Sequence, residues 1–268
     1  LRISKRSSAE DMRFEYEAIA HLRKNGFSAA RWNKTVGGEL FVQSKGRVAV
    51  LFDFIEGYQV GFGKHRLQNW NECYAAGGEL ARLHNAGRDF SSRGLRRRTV
   101  FTEMERAIGK KEIIGFLEGG KEFIRQLEEM MEFGKGDDGV LGIIHNDYRP
   151  GNVIFRDEKK VEGVIDLDWS CHGPIIKDLA LAVLEWSFPE KADKPDFGLF
   201  DAFLKGYNDI SRDRYDRNGR LFSWIQFAAI SDAATFLCDL LEEAPVCEKK
   251  TVDSYMYKKY LFFSDYDG

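Results

Sequence analysis

The 268-residue sequence lacks the features that mark several protein classes. Its four cysteines, Cys73, Cys171, Cys238 and Cys247, have neither metal-binding nor disulfide-like spacing. That sets aside a zinc site and a disulfide scaffold and suits a reducing cytoplasm. No run of about eighteen apolar residues occurs, so no transmembrane helix is expected. The opening residues do not read as a signal peptide, so none is expected. Net charge is only −3, so neither a nucleic-acid partner nor a membrane surface is implied. Gly-Lys-Ser/Thr appears nowhere, which excludes a Walker-type phosphate loop. Gly37-Gly38 and Gly77-Gly78 are isolated pairs that read as a turn and a packing site. No internal repeat or low-complexity segment exists. What is present is ordinary for a globular chain: 43% hydrophobic and 31% charged residues, enough to build a full core.

Hydrophobic periodicity organises the chain into strands early and helices late. Leu1 to Ser4 alternates apolar and polar as a strand does. Ser7, Ser8 and Glu10 supply helix-start chemistry. The helix that follows carries Met12, Tyr16, Ile19 and Leu22 on one face and stops at Asn25-Gly26. Leu40–Gln43 and Val48–Phe54 are strand candidates around the turn Ser44-Lys45-Gly46. Ile55-Glu56-Gly57 breaks the second strand and marks a lobe boundary, giving 1–57 and 58–268. Helical spacing then runs over Leu67–His84, 112–133, Leu179–Phe188, Phe197–Tyr207, Leu221–Leu241 and Val252–Phe263. The expected fold class is α+β and bilobal.

The chemistry concentrates in Ile144-His145-Asn146-Asp147-Tyr148-Arg149-Pro150-Gly151-Asn152-Val153-Ile154-Phe155 and Gly163-Val164-Ile165-Asp166-Leu167-Asp168-Trp169. This reads as strand, polar loop, strand, and a second strand running into a carboxylate pair. Phosphoryl transfer from ATP asks for such groups in this order. One carboxylate orients a hydroxyl and accepts its proton, and an amide and a second carboxylate hold Mg²⁺ against the phosphates. Asp147 and Asn152 share one loop, and the hairpin 153–155/161–165 returns Asp166 to it.

The segment resembles the catalytic loop and metal-binding Asp of the aminoglycoside phosphotransferase / choline kinase / type II homoserine kinase superfamily, small-molecule kinases with a protein-kinase-like fold. Asp166-Leu167-Asp168 matches its Asp-x-Asp pattern, not the Asp-Phe-Gly of protein kinases. Asn146 departs from it, since the family usually has Gly there. The resemblance implies ATP and Mg²⁺ as cofactors and a small-molecule hydroxyl compound as acceptor. It implies Asp147 as the catalytic carboxylate, Asn152 and Asp166 as metal ligands, and His145 as a backbone brace of the loop. Asp168 is either a further metal ligand, an orienter of the acceptor, or a cap of the turn at Trp169-Ser170. Arg2 takes the place of the strand cation that grips the α/β-phosphates, with Glu15, or alternatively Glu17, as its helix partner. Val50–Gly57 resembles the hinge, where the Asp53 carbonyl and Ile55 N–H would meet adenine. The first strands and the phosphate-covering loop are expected before Leu1.

Other features read more plainly. Asp178 before Leu179-Ala180-Leu181 is expected to cap a helix. His84 is expected to be a satisfied histidine, and His65 and His172 to be loop residues. Arg88, Arg93, Arg96-Arg97-Arg98 and Lys110-Lys111 read as a solvated basic loop. Asp232, Asp239, Glu242 and Glu243 put negative charge on a late helix, suiting either a cationic acceptor or a solvated face. The expected function is phosphorylation of a small-molecule hydroxyl such as an amino alcohol or sugar, in the cytoplasm. A Ser/Thr protein kinase and a nucleotide-binding regulatory pseudokinase are the alternatives.

Overall fold

The computed structural model describes residues 1–4, 8–61, 67–92, 96–188, 194–243 and 254–266. Ser7, His65, Arg93, Cys247, the start of the 252–263 segment and the side chain of Glu243 lie outside the described residues.

The first lobe is a small antiparallel sheet backed by one helix. Strand β1 (Arg2–Ser4) precedes helix α1 (Ala9–Lys24), and β2 (Trp32–Asn33), β3 (Val42–Ser44) and β4 (Arg47–Phe52) follow. β4 pairs with β1 on one edge and with β2 and β3 on the other. Ser44 pairs with Arg47, leaving a two-residue turn in which Lys45 and Gly46 take φ of 48° and 72°. That left-handed pair matches the twist of a hairpin. α1 starts at a capping box: the Ser8 hydroxyl accepts from Asp11 N, and Asp11 accepts from Ser8 N, both at 3.1 Å. The partner of Ser8 is therefore Asp11, and Glu10 adds negative charge to the first turn. Val48 and Val50 of β4 are buried in the core that also takes Met12, Ile19 and Leu22. On β1 the usual polarity inverts: Ile3 is 56% exposed, while Arg2 turns inward.

After β4 the chain crosses to the second lobe through residues 53–61, and Gly57 is the tight point of that crossing. Gly57 has φ of 153°, and a Cβ there would collide with the Phe155 carbonyl oxygen. Only glycine lets the two backbones approach so closely. Tyr58 then exchanges both backbone hydrogen bonds with Phe155, at 2.9 and 2.8 Å, tying the crossing to the hairpin that follows Asn152.

The second lobe is mostly helical. It contains α2 (Trp70–Gly87), α3 (Val100–Ile108), α4 (Glu112–Phe116), α5 (Gly120–Gly136), β5 (Leu141–Ile144), β6 (Val153–Asp157), β7 (Lys160–Val164), β8 (Cys171–Pro174), α6 (Ile175–Ser187), α7 (Phe197–Ile210), α8 (Gly219–Glu243) and α9 (Tyr255–Ser264). β5 pairs with β8 and β6 with β7, both antiparallel. The expected α2 start shifts from Leu67 to Trp70, because Asn69 caps the helix in a box with Glu72. The single helix expected over 112–133 is two helices, broken where Leu117 turns extended (ψ 134°). His172 lies on strand β8 and not in a loop. Gly77 is indeed a packing site: a Cβ would run into the Phe203 carbonyl of α7. α8 is long and apolar enough to cross a membrane by length and composition, yet its apolar window is 72% buried within this fold.

The basic stretch is not a solvated loop. Thr99 caps α3 within it. Arg96 pairs with Asp11 of α1 at 3.4 Å, with both side chains 6% exposed. Arg97 pairs with Glu10 at 2.7 Å. Arg98 reaches Glu103 at 2.9 Å and Asp239 of α8 at 3.3 Å. Lys110 pairs with Glu242 at 3.0 Å. These cations join α1 to the helical lobe, and they neutralise Asp239 and Glu242 of the acidic set on α8.

Candidate active site

The catalytic loop runs from β5 to β6, and side-chain and backbone tethers fix it. His145 Nε2 donates to the Ile165 carbonyl at 3.0 Å. Ile165 N donates to the Asn152 carbonyl at 3.0 Å. Tyr148, fully buried, donates its hydroxyl to the Ala76 carbonyl at 2.9 Å. The first two stitch the loop to the segment entering Asp166, which brings Asn152 and Asp166 together.

A further tether corrects the reading of Asp178. It is not a helix cap: α6 begins three residues earlier, after Pro174. Its side chain is fully buried and accepts from His145 N (2.7 Å), Asn146 N (2.8 Å) and His84 Nε2 (3.0 Å). Burial alone would raise its pKa, but the hydrogen bond from His84 and the cations around it hold it below the usual carboxylate range. His84 is a core histidine, with Nδ1 2.8 Å from the Tyr207 hydroxyl. The sequence signal for Asp178 is present but ambiguous, since helix caps and buried anchors both favour Asp.

Asn146 has φ of 64°, the left-handed region that asparagine tolerates better than most residues. That geometry accounts for glycine in relatives. Asp147 follows, with 14% of its side chain exposed. Arg149 Nη2 lies 2.7 and 2.8 Å from its two oxygens, and Asn152 Nδ2 donates to Oδ2 at 2.9 Å. Burial raises the Asp147 pKa against the pull of Arg149 and Asn152. A raised pKa suits a proton acceptor. Arg149 is a site residue that the sequence reading misses, although a cation two residues beyond the base is a visible signal.

Asp166 also has φ of 64° and is half-exposed. Asp168 sits in the single turn Leu167–Trp169. Its Oδ1 is buried with no hydrogen-bond partner, so it does not cap the turn; the Ser170 hydroxyl bonds the Leu167 carbonyl instead. Burial and the charge of Asp166 push the Asp168 carboxyl up to about 7. Among the described residues no three His, Cys, Asp or Glu side chains converge on a metal position. Two carboxylates and the free amide oxygen of Asn152 remain. That hard-oxygen set fits Mg²⁺, which takes one or two carboxylates and completes its shell with phosphates and water.

Arg2 Nη2 lies 2.5 Å from Glu15 Oε2, and its Nη1 lies 3.7 Å from Asp166. Glu15 is fully buried, whereas Glu17 is taken by the Ser92 hydroxyl at 2.5 Å. Asp53 and Ile55 line an open cavity of about 660 Å³ with Phe27–Arg31. The Asp53 carboxylate is held by Asn33 (2.7 Å) and Arg31 (2.9 Å), which lower its pKa. A second cavity, about 240 Å³, lies beside Asp147. Arg149, Trp169, Lys177, Asp232, Phe236 and Asp239 are among its walls. It shares no residue with the first.

The model of the phosphotransferase enzyme family matches residues 1–217. A homoserine kinase of Rhodopseudomonas palustris (strain BisA53) is 30% identical over 211 residues, covering 76% of this chain and 61% of that protein. The chain thus spans under two thirds of that relative's length. An amicoumacin kinase solved with AMP-PNP and Ca²⁺ superposes with a TM-score of 0.72 at 16% identity, over 98% of this chain and 78% of that one. A microcompartment-associated aminopropanol kinase gives 0.62 at 18% identity, over 98% and 81%. The fold is the protein-kinase-like fold of these enzymes, and the chain belongs to the phosphotransferase enzyme family.

Proposed function

We propose that this chain is an ATP- and Mg²⁺-dependent phosphotransferase that acts on a hydroxyl group of a small molecule. The observation that carries the reading is the juxtaposition of Asp147, Asn152 and Asp166, stitched by the bonds of Ile165 to Asn152 and His145. Asp147 orients the acceptor hydroxyl and takes its proton as the oxygen attacks the γ-phosphorus and ADP departs. Asn152, Asp166 and Asp168 would hold Mg²⁺, which supplies charge neutralisation at the phosphates. Arg2, fixed by Glu15, grips the phosphates that do not transfer. The Asp53 carbonyl and Ile55 N–H meet the adenine edge. His145 braces the loop.

The acceptor cavity supports a small substrate. At about 240 Å³ it falls below the ~300–1,000 Å³ of pockets for drug-sized ligands. That favours an amino alcohol over a multi-ring aminoglycoside or a protein chain. A reducing cytoplasm suits its three described cysteines, all free and buried.

The test is ADP release with MgATP across amino alcohols, sugars and aminoglycosides. Asp147→Asn should lower kcat by ~10²–10⁴ with MgATP affinity little changed. Near-normal turnover in that variant would remove Asp147 from the mechanism.

A further inference from the structure

Lys177 carries a charge that phosphoryl transfer does not use. It is 3% exposed, yet it lines the acceptor cavity. Its Nζ donates to Asn146 Oδ1, its one hydrogen-bond partner among the described residues. An ammonium has three donors, and a neutral amide is weak compensation for burying it. The adjacent Asp178 is already occupied by His145, Asn146 and His84. Burial accordingly lowers the Lys177 pKa, against the pull of Asp178 and Asp232.

Asn146 points the same way. At φ of 64° glycine would be at ease, yet this chain keeps a side chain there, and that side chain holds the lysine. Across the cavity, Asp239 is neutralised by Arg98 and Arg106, and Glu103 by the same two arginines. The side chain of Asp232, on the same wall, makes no hydrogen bond or close ion pair with another described residue. The walls therefore offer one cation and one anion in search of partners.

We propose that Lys177, held by Asn146, is a specificity-determining residue that binds a carboxylate on the acceptor while Asp232 receives the acceptor's ammonium group. The acceptor is then a small zwitterionic alcohol. This deepens the kinase reading and rests on it.

Three probes separate the groups: L-homoserine, 3-aminopropan-1-ol, which lacks the carboxylate, and 4-hydroxybutyrate, which lacks the ammonium. The wild-type protein should prefer the first by kcat/KM. Lys177→Met should reduce its preference over 3-aminopropan-1-ol by about 10- to 100-fold, the loss expected of one charge-assisted hydrogen bond. Asp232→Asn should do the same for the preference over 4-hydroxybutyrate. Asn146→Gly suits the backbone and keeps the lysine, so it should shift the first ratio in the same direction by less. It also keeps the inference testable if Lys177→Met fails to fold. Equal losses on homoserine and aminopropanol, or a wild-type preference for aminopropanol, would overturn the assignment. So would turnover confined to alcohols without a carboxylate. If MgATP is neither bound nor turned over with any alcohol, the kinase reading fails, and this inference with it.

Discussion

Asp178→Asn should release the catalytic loop without emptying the core. The substitution conserves shape, so its cost lies in hydrogen bonding. With the amide oxygen placed at Oδ2, the bonds from His145 N and His84 survive, weakened from an ionic to a neutral acceptor. The new NH₂ group then faces Asn146 N, leaving that part-buried donor unpaired. An unsatisfied buried group costs ~1–3 kcal/mol, and each weakened bond costs about 1 kcal/mol, giving about 3–5 kcal/mol in total. At ~2–4 °C per kcal/mol, the melting temperature should fall by roughly 10 °C. The loop moves one residue from Asp147, so kcat should fall as well, by up to ~10² for a displacement near 1 Å. The acid limb gives the sign. The folded pKa is depressed, so this stabilisation is present above the ordinary carboxylate pKa and lost as pH falls through the folded value. The gap between wild type and variant should therefore close in acid. Thermal melts from pH 3 to 8, with kcat at pH 7, decide it. A variant with wild-type melting and turnover would refute the anchoring role.

Arg2→Ala should raise KM for ATP with kcat little changed, because under the proposed function the cation grips phosphates in ground and transition state alike; equal falls in kcat and kcat/KM would contradict this. The same variant strands the buried Glu15 and should melt earlier, by ~3–5 kcal/mol of lost stability, with Arg2→Lys recovering part of it. Asp168 makes the metal-free protein lose stability as pH rises: its folded pKa is raised to about 7, so its contribution is full in acid, below the ordinary carboxylate pKa, and is lost as pH climbs to 7. Between pH 5 and 8 the loss should reach about 3 kcal/mol and vanish in Asp168→Asn; a variant with the wild-type slope would exclude Asp168 as its source.

The catalytic loop is legible in the sequence because its chemistry is local. Asp147, Asn152 and Asp166 are fixed in relation by one loop and one hairpin, so spacing alone brings them together. The pairing of Arg2 with Glu15 is anticipated by the family resemblance, which leaves Glu17 open until the structure shows it bound to Ser92. Long-range partners are not legible. Arg96 and Arg98 look like solvated charge until Asp11 and Asp239 are placed against them, and no local pattern announces carboxylates so distant in sequence. Asp178 misleads for a related reason: its three donors come from a preceding loop and from α2, while its neighbours in sequence spell a helix start. Lys177 gives no signal, since a lone lysine beside an apolar helix reads as surface.

Asn146 and Asp166 share a left-handed backbone on either side of the reacting centre. Glycine at either would relieve up to about 1 kcal/mol of conformational strain. A population of this chain selected for heat resistance alone would thus be drawn to glycine at 166, surrendering the proposed metal ligand, whereas at 146 the relief is set against the lost hydrogen bond of a buried lysine. Thermal selection and selection for turnover should diverge first at 166, so the residue recovered there would report which pressure a variant had met.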